Sequence, residues 1–376
     1  MTVPYIDLSA QWQDEKKDLL PIIESVMSSG QFVGGEAVEH FEHKAAELCE
    51  TQYCVALNSG TDALVLGLLA LGICPGDEVI TPPNSFIAST AAIIHLRAKP
   101  VFVDVQPDQN IDPNKIEKAI TSKTKAIMPV HLTGRIANMS AILKIAEAHN
   151  IPVIEDAAQS FGSQYAGQPS GSLGKIGCFS AHPLKNLNAC GDAGFMTTDD
   201  ENVAKCVRQY RNHGLADRNT VEKFGGVSRM DTLQAAILTY RLSRLAQMIE
   251  RRRNNVEQYK SLLNFDQVFI PEEHEKEFNT YHTFVIQCEK RDELQEHLIE
   301  RGIETAIHYP VPIHLQPAAL SLGARKGDFP VTENQSERIL SLPIHQYLSE
   351  DTIFEISKCI NEFLANAGEC CGVDLF

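Results

Sequence analysis

The chain predicts an α/β protein in two parts: a large domain over residues 1–245 with a mostly parallel, helix-covered sheet, and a smaller α/β C-terminal domain over 246–376. Two observations carry this. Through about residue 245, helical periods alternate with short β-branched runs. The runs 101–105 (VFVDV), 125–131 (KAIMPVH) and 151–156 (IPVIED) are apolar on both faces, as parallel strands covered by helices are. The second observation is size: 376 residues, 43% hydrophobic and 22% charged, suit a soluble enzyme of two or three domains and exclude disordered, collagenous and disulfide-scaffold classes.

Taken in order, the apolar runs are separated by helix-spaced segments at 113–120 and 139–149. Strand, helix, strand repeated in this way predicts a doubly wound sheet, whose ligands sit outside the carboxyl ends of the strands. A long polar helix pattern follows at 242–263, and the strand-like 281–287 (YHTFVIQ) opens the second α/β section. Arg251, Arg252 and Arg253 on that helix are expected to face solvent, since charged runs on long helices usually do. The tail 367–376 (AGECCGVDLF) reads as loosely ordered.

The balance of 33 Lys and Arg against 49 Asp and Glu leaves a formal charge of −16, which disfavours nucleic acid and anionic membrane surfaces as partners. Ten cysteines without a CxxC pair predict reduced thiols in a cytoplasmic protein. The N-terminus lacks the pattern of a signal peptide, and the apolar stretch 63–74 is too short to span a bilayer. Metal ligands do not cluster: His40 and His43 share a helix face with no third ligand, so both are expected on a plain surface helix. No GxGxxG follows a first strand, which argues against a dinucleotide-binding dehydrogenase.

Three features could carry chemistry. Residues 58–62 (NSGTD) precede a helical run, where free backbone N–H groups and the helix dipole can hold a phosphate; a plain N-cap would look the same. Glu155 and Asp156 end the strand IPVIED, so at least one carboxylate is expected in the crevice and needs a partner there, either a cationic ligand group or N–H groups of the next turn. Lys185 lies in a loop of small residues behind a strand rather than on a charged helix, a placement suited to a depressed pKa and Schiff-base chemistry. Pyridoxal 5′-phosphate (PLP) requires all three: a lysine for its aldehyde, a carboxylate for its pyridine nitrogen and a helix N-terminus for its phosphate. Phe86, in a loop after the strand-like DEVITP, is either a ring-stacking aromatic or a core residue.

An ordered set of motifs then makes the chain resemble a known family. SGTDAL (59–64), GDEVITP (76–82), VIEDAAQSFG (153–162), GSLGKIGCFSAHPLKNL (171–187), GDAG (191–194), RNHG (211–214), SRMDTLQAAIL (228–238) and IHYPVPIHLQPA (307–318) are similar to the DegT/StrS sugar aminotransferases, PLP enzymes of the aspartate aminotransferase type (fold type I). The resemblance implies that Lys185 links to the cofactor and moves protons, that Asp156 pairs with the pyridinium nitrogen, that Gln159 lies near the ring hydroxyl, and that Phe86 stacks on the ring. It implies further that Ser59, Gly60, Thr61 and Ser180 hold the phosphate. His182 and Asn186 flank the lysine, and His308 and Tyr309 match the family's substrate-proximal HYP segment.

By the same resemblance, the reaction moves an amino group, with glutamate as donor, onto a keto group of a nucleotide-linked deoxysugar in amino-sugar and polysaccharide biosynthesis. The GDAG sequence favours C3 over C4. The protein is expected to be a homodimer with shared active sites. One position departs from the family: Val227 stands where an Asn usually reaches the neighbouring subunit's cofactor phosphate. The alternatives are a PLP-dependent sugar dehydratase, although relatives of that branch carry histidine in place of Lys185, or an aminotransferase for a cyclitol ketone.

Overall fold

The computed structural model describes residues 2–368. Residues 369–376, most of the tail read as loosely ordered, lie outside the described residues. The chain opens with two helices, α1 (Leu8–Ser29) and α2 (Glu36–Leu48), and then alternates: β1 (Tyr53–Leu57), α3 (Gly60–Ala70), β2 (Glu78–Thr81), α4 (Ile87–His95), β3 (Lys99–Phe102), α5 (Pro113–Ala119), β4 (Thr124–Ile127), α6 (Met139–Ala148) and β5 (Ile154–Asp156). The helices expected at 113–120 and 139–149 are present as α5 and α6. Asp112 and Asn138 cap them, each side chain accepting from a first-turn amide.

Two short strands, β6 (Gln164–Tyr165) and β7 (Gln168–Pro169), precede β8 (Ile176–Ser180) and β9 (Gly194–Thr198). In one sheet the order is β1-β9-β8-β5, and in the other it is β3-β2-β4. The two join through parallel bridges, Ile127 to Val153 and Val130 to Asp156. Within these two sheets all pairings are parallel except those of β9, which runs antiparallel to both β1 and β8. The sheet is therefore mostly parallel, as expected. The run 101–105 is paired only at its start, because β3 spans Lys99–Phe102 and the chain then turns, Val105 bridging Ile111. Pro100 is tolerated because β3 is an edge strand, where a missing N–H costs no ladder bond.

Side-chain alternation fills both faces. On β1, Val55 and Leu57 join a core with Leu64 and Leu68 of α3, while Cys54 and Ala56 join Phe41 of α2 on the opposite face. Phe195 and Met196 of β9 divide in the same way.

Helices α7 (Glu201–Tyr210), α8 (Thr232–Leu242) and α9 (Leu245–Leu262) lead into β10 (Glu277–Phe278), β11 (Phe284–Gln287), α10 (Arg291–Glu300), α11 (Pro330–Arg338), β12 (Ile339–Leu342) and α12 (Glu350–Gly368). The strand-like 281–287 contributes β11, paired antiparallel with β12. Val256 and Tyr259 of α9, Ile286, Leu340 and Ile356 form a separate core, which also takes Val3 from the N-terminus. Leu245 and Ile249, at the start of α9, pack instead with Phe179 and Phe195.

The arginines on α9 correct the expectation of a solvated run. Successive helix residues point about 100° apart, so the three cannot share one surface. Arg251 is exposed, but Arg252 is buried, and its Nη1 donates to the carbonyls of Ile344 at 2.7 Å, Tyr281 at 3.2 Å and His282 at 3.4 Å. Arg253 binds Glu273 at 2.7 Å. His40 and His43 are exposed on α2, as expected. The eight described cysteines are all free thiols, and no helix among the described residues is long and apolar enough to cross a membrane.

Candidate active site

The carboxyl ends of β1, β2, β5 and β8 open on a cleft of about 440 Å³ whose lining includes Ser59, Gly60, Thr61, Phe86, Asp156, Gln159, Ser180, His182, Lys185, His308 and Tyr309. Eleven of the twelve residues singled out from the sequence thus share one cavity. Asn186 is the exception. Its Nδ2 donates to the Thr280 carbonyl at 3.3 Å, and it lines the adjoining polar pocket on the far side of Lys185.

The turn from β1 into α3 builds one end of the cleft. Ser59 is the N-cap, with Oγ accepting from the Asp62 amide at 3.1 Å, while its carbonyl takes the Ala63 amide. The amides of Gly60 and Thr61 have no carbonyl one turn back to bind. Two glycines let this turn sit against the strands. A Cβ on Gly60 would lie 2.6 Å from Ser180 Cβ, and one on Gly194 would lie 2.2 Å from the Ser59 carbonyl carbon. This close approach brings the Ser180 hydroxyl beside the positive end of α3, a cradle for an anionic oxygen group.

Glu155 and Asp156 separate as neighbours on a strand must. Glu155 turns away from the cleft and accepts from the amides of Gly171 at 2.9 Å, Leu173 at 2.9 Å and Gly174 at 2.6 Å, with His131 Nε2 at 2.9 Å. The Ala137 amide donates to His131 Nδ1 at 3.2 Å, so Nε2 carries the proton toward Glu155. Asp156 faces the cleft and has fewer partners, Ser89 Oγ at 2.5 Å and the Ala158 amide at 3.3 Å. Burial pushes its carboxyl pKa up, against the pull of Ser89, Ala158 and Lys185. A cationic ring nitrogen is the kind of group that would relieve this.

Lys185 enters on the loop between β8 and β9. Burial lowers its ammonium pKa to about 8, while the Asp156 carboxylate acts in the opposite direction. The neutral, nucleophilic amine is then far more populated near neutral pH than in an ordinary lysine, and it predominates above about pH 8. Gln159 is held on both sides: its Oε1 accepts from the Thr133 amide at 2.8 Å, and its Nε2 donates to the Tyr309 hydroxyl at 3.3 Å. Phe86 is 57% exposed, so it is not a core aromatic. Its ring lies at the cleft, 6.0 Å from that of Tyr309. His308 Nδ1 pairs with Ser341 Oγ at 2.9 Å, and burial lowers its pKa to about 4, leaving it neutral.

Sequence reading missed part of the cleft. Tyr5 and His282 also line it, and Ser89 anchors Asp156. Tyr5 and His282 arrive from opposite ends of the chain with no local pattern around them. Ser89 lies three residues beyond Phe86 in the first turns of α4, and that helix spacing was a usable signal.

With this geometry in place, comparison with known proteins decides the family. A model of the DegT/DnrJ/EryC1/StrS aminotransferase family matches residues 13–361. The chain belongs to this family. Among its relatives, a protein of Geobacillus stearothermophilus named a pleiotropic regulatory protein is 40% identical, with 96% of this chain and 99% of the relative covered. A Streptomyces venezuelae dTDP-3-amino-3,4,6-trideoxy-α-D-glucose transaminase is 38% identical, with 96% of each chain covered. The crystal structure of S. venezuelae DesV superposes with a TM-score of 0.94 at 38% identity, covering 96% of this chain and 98% of DesV.

As a member of the DegT/DnrJ/EryC1/StrS family the protein is a PLP-dependent aminotransferase. Its residues fit the cofactor on three observations: the glycine-lined cradle at α3 suits a phosphate, Asp156 is an under-partnered buried carboxylate, and Lys185 is a buried amine with a lowered pKa. Bound PLP supplies an electron sink for the carbon that loses its proton.

Proposed function

We propose that the protein transfers an amino group, with glutamate as donor, to the keto group of a nucleotide-linked deoxysugar, acting at C3. The observation that carries the transamination is the placement of Lys185 and Asp156 in one cleft, near enough for each to act on the other's pKa. Lys185 is the base that takes the α-proton of the donor and returns a proton to the acceptor carbon. Asp156 keeps the cofactor nitrogen protonated. Gln159 orients the ring, Phe86 covers its face, and Ser59, Gly60, Thr61 and Ser180 bind its phosphate. His182, His308 and Tyr309 meet the substrate, and Asn186, turned to Thr280, steadies the lysine loop. The sugar assignment draws on the S. venezuelae transaminase, whose name gives a dTDP-linked 3-amino sugar, and the C3 assignment also on the GDAG loop at 191–194.

We place the working enzyme in the cytoplasm as a homodimer with shared sites. Val227 is 52% exposed and Phe224 wholly so, while the neighbouring Ser228 Oγ donates to Asn58 beside the α3 cradle. Exposed apolar side chains this close to the site suit a subunit contact. Valine offers no hydrogen bond to a phosphate, so any contact across that boundary comes from another residue. Residues of both parts, 1–245 and 246–376, line the cleft.

The test is turnover with PLP and glutamate against a panel of 3-keto and 4-keto nucleotide sugars, with light scattering for mass. Amination of a 3-keto sugar by a dimer, abolished in Lys185→Ala, is the expected result. A C4-aminated product would overturn the position, dehydration without amination would overturn the reaction, and a monomer would overturn the shared site.

A further inference from the structure

One wall of the cleft holds polar atoms that the chemistry above leaves idle. His282 is buried, and its Nδ1 has no hydrogen-bond partner; the Tyr5 hydroxyl is buried too, with only the Ser341 hydroxyl, itself paired with His308 Nδ1, close enough to interact. Both residues line the cleft. An unpaired buried polar group costs about 1–3 kcal/mol, and such groups are rare enough in folded proteins that each calls for a reason. A bound molecule is one.

The wall is held in place. Arg252 Nη1 binds the carbonyls of Tyr281, His282 and Ile344, and the next amide, that of Thr283, donates to the Thr133 carbonyl at 3.3 Å. The Tyr5 ring lies 5.8 Å from that of His308, whose Nδ1 is occupied by Ser341. Tyr5 and His282 therefore offer hydrogen bonds from fixed positions, where little ordering entropy is lost on binding.

Its charge narrows the ligand. Burial, with the positive charges of Lys185 and Arg252 nearby, drives the His282 pKa far down and leaves a neutral imidazole. No arginine lines the cleft among the described residues, and Lys185 is its one lysine. A carboxylate or pyrophosphate would find no arginine on this wall to bind it, since Arg252 lies behind the wall with Nη1 on its carbonyls, whereas a phenol and a neutral imidazole suit the hydroxyls of an uncharged ring.

We propose that Tyr5 and His282 form a subsite that binds hydroxyl groups of the acceptor sugar and so select the acceptor rather than the amino donor. This rests on the reading of the protein as a sugar aminotransferase.

The two half-reactions separate the roles. With PLP-loaded protein, the donor half is followed by the loss of the cofactor's long-wavelength band on adding glutamate. The acceptor half is followed by its return on adding the best keto sugar of the panel. Tyr5→Phe and His282→Leu should each raise the acceptor KM by about tenfold or more, the worth of one well-placed hydrogen bond, and the donor half should move by less than about threefold. His282→Asn, which restores a polar atom near Nδ1, should recover most of the loss. Tyr5→Phe removes a single oxygen and keeps the ring, so it reports even where a His282 variant folds poorly. An unchanged acceptor KM in Tyr5→Phe, or equal losses in both halves, overturns the subsite. A wild-type protein that accepts no keto sugar overturns the sugar reading and the subsite with it.

Discussion

Glu155 and Asp156 are consecutive residues of one strand, and they end in opposite circumstances. Glu155 is wholly buried and meets three backbone amides and an imidazole, all within 2.9 Å. Asp156 has a hydroxyl and one longer amide contact, and burial raises its pKa. The first carboxylate is used up by the fold, because its shell closes the turn after β7 onto the sheet. The second is held buried and under-partnered against the cleft. Whether a buried carboxylate belongs to the structure or to the chemistry is thus decided by how completely its lone pairs are filled.

The comparison can be broken by removing each charge in turn. Asp156→Asn keeps the shape and leaves the Ser89 hydroxyl a carbonyl to bind, so thermal stability should change little. Turnover should fall by about 10²–10³-fold, the usual loss when an aimed electrostatic partner is removed. Glu155→Gln should do the reverse. Its amide cannot satisfy amides on both sides, so a loss of about 3 kcal/mol should appear as a lowered thermal midpoint, with the remaining folded protein still active. If Glu155→Gln is inactive at full stability, or Asp156→Asn unfolds, the division between the two is wrong.

A smaller effect sharpens the same contrast. Because the Lys185 pKa is lowered to about 8, the reactive neutral amine is present above that pH and lost below it. Capture of an aldehyde by the cofactor-free protein should therefore rise with pH around 8. Asp156 is the group that holds this pKa up, so Asp156→Asn should move the midpoint to lower pH. Glu155→Gln should leave it in place. A midpoint that does not move in Asp156→Asn means the two side chains are not coupled in solution.

Legibility in the sequence followed chain proximity. Ser59, Gly60, Asp156, Gln159, Ser180 and Lys185 all fall within a few residues of a strand's carboxyl end, where α/β sheets keep their ligands, so local patterns reached them. The apolar runs likewise announced most of the parallel strands. Local pattern alone left Glu155 and Asp156 undivided, and only the family resemblance picked out Asp156, because the deciding groups, the turn at 171–174 and Ser89, are distant in the chain. Arg252 looked like its exposed neighbour Arg251, since three carbonyls from 281–282 and 344 meet it only after α9 packs. Asn186 is beside the lysine in sequence but turned toward Thr280. Tyr5 and His282 share a wall only because the N-terminus joins the C-terminal core through Val3.

The central claim is that Lys185 is the one lysine that carries the cofactor. Borohydride reduction of the PLP-loaded protein, followed by mass mapping of its peptides, tests this directly. The account predicts a single added phosphopyridoxyl group on the peptide containing Lys185, absent from Lys185→Ala. Label on a different lysine, or an unlabelled Lys185 in protein that turns over, would contradict it.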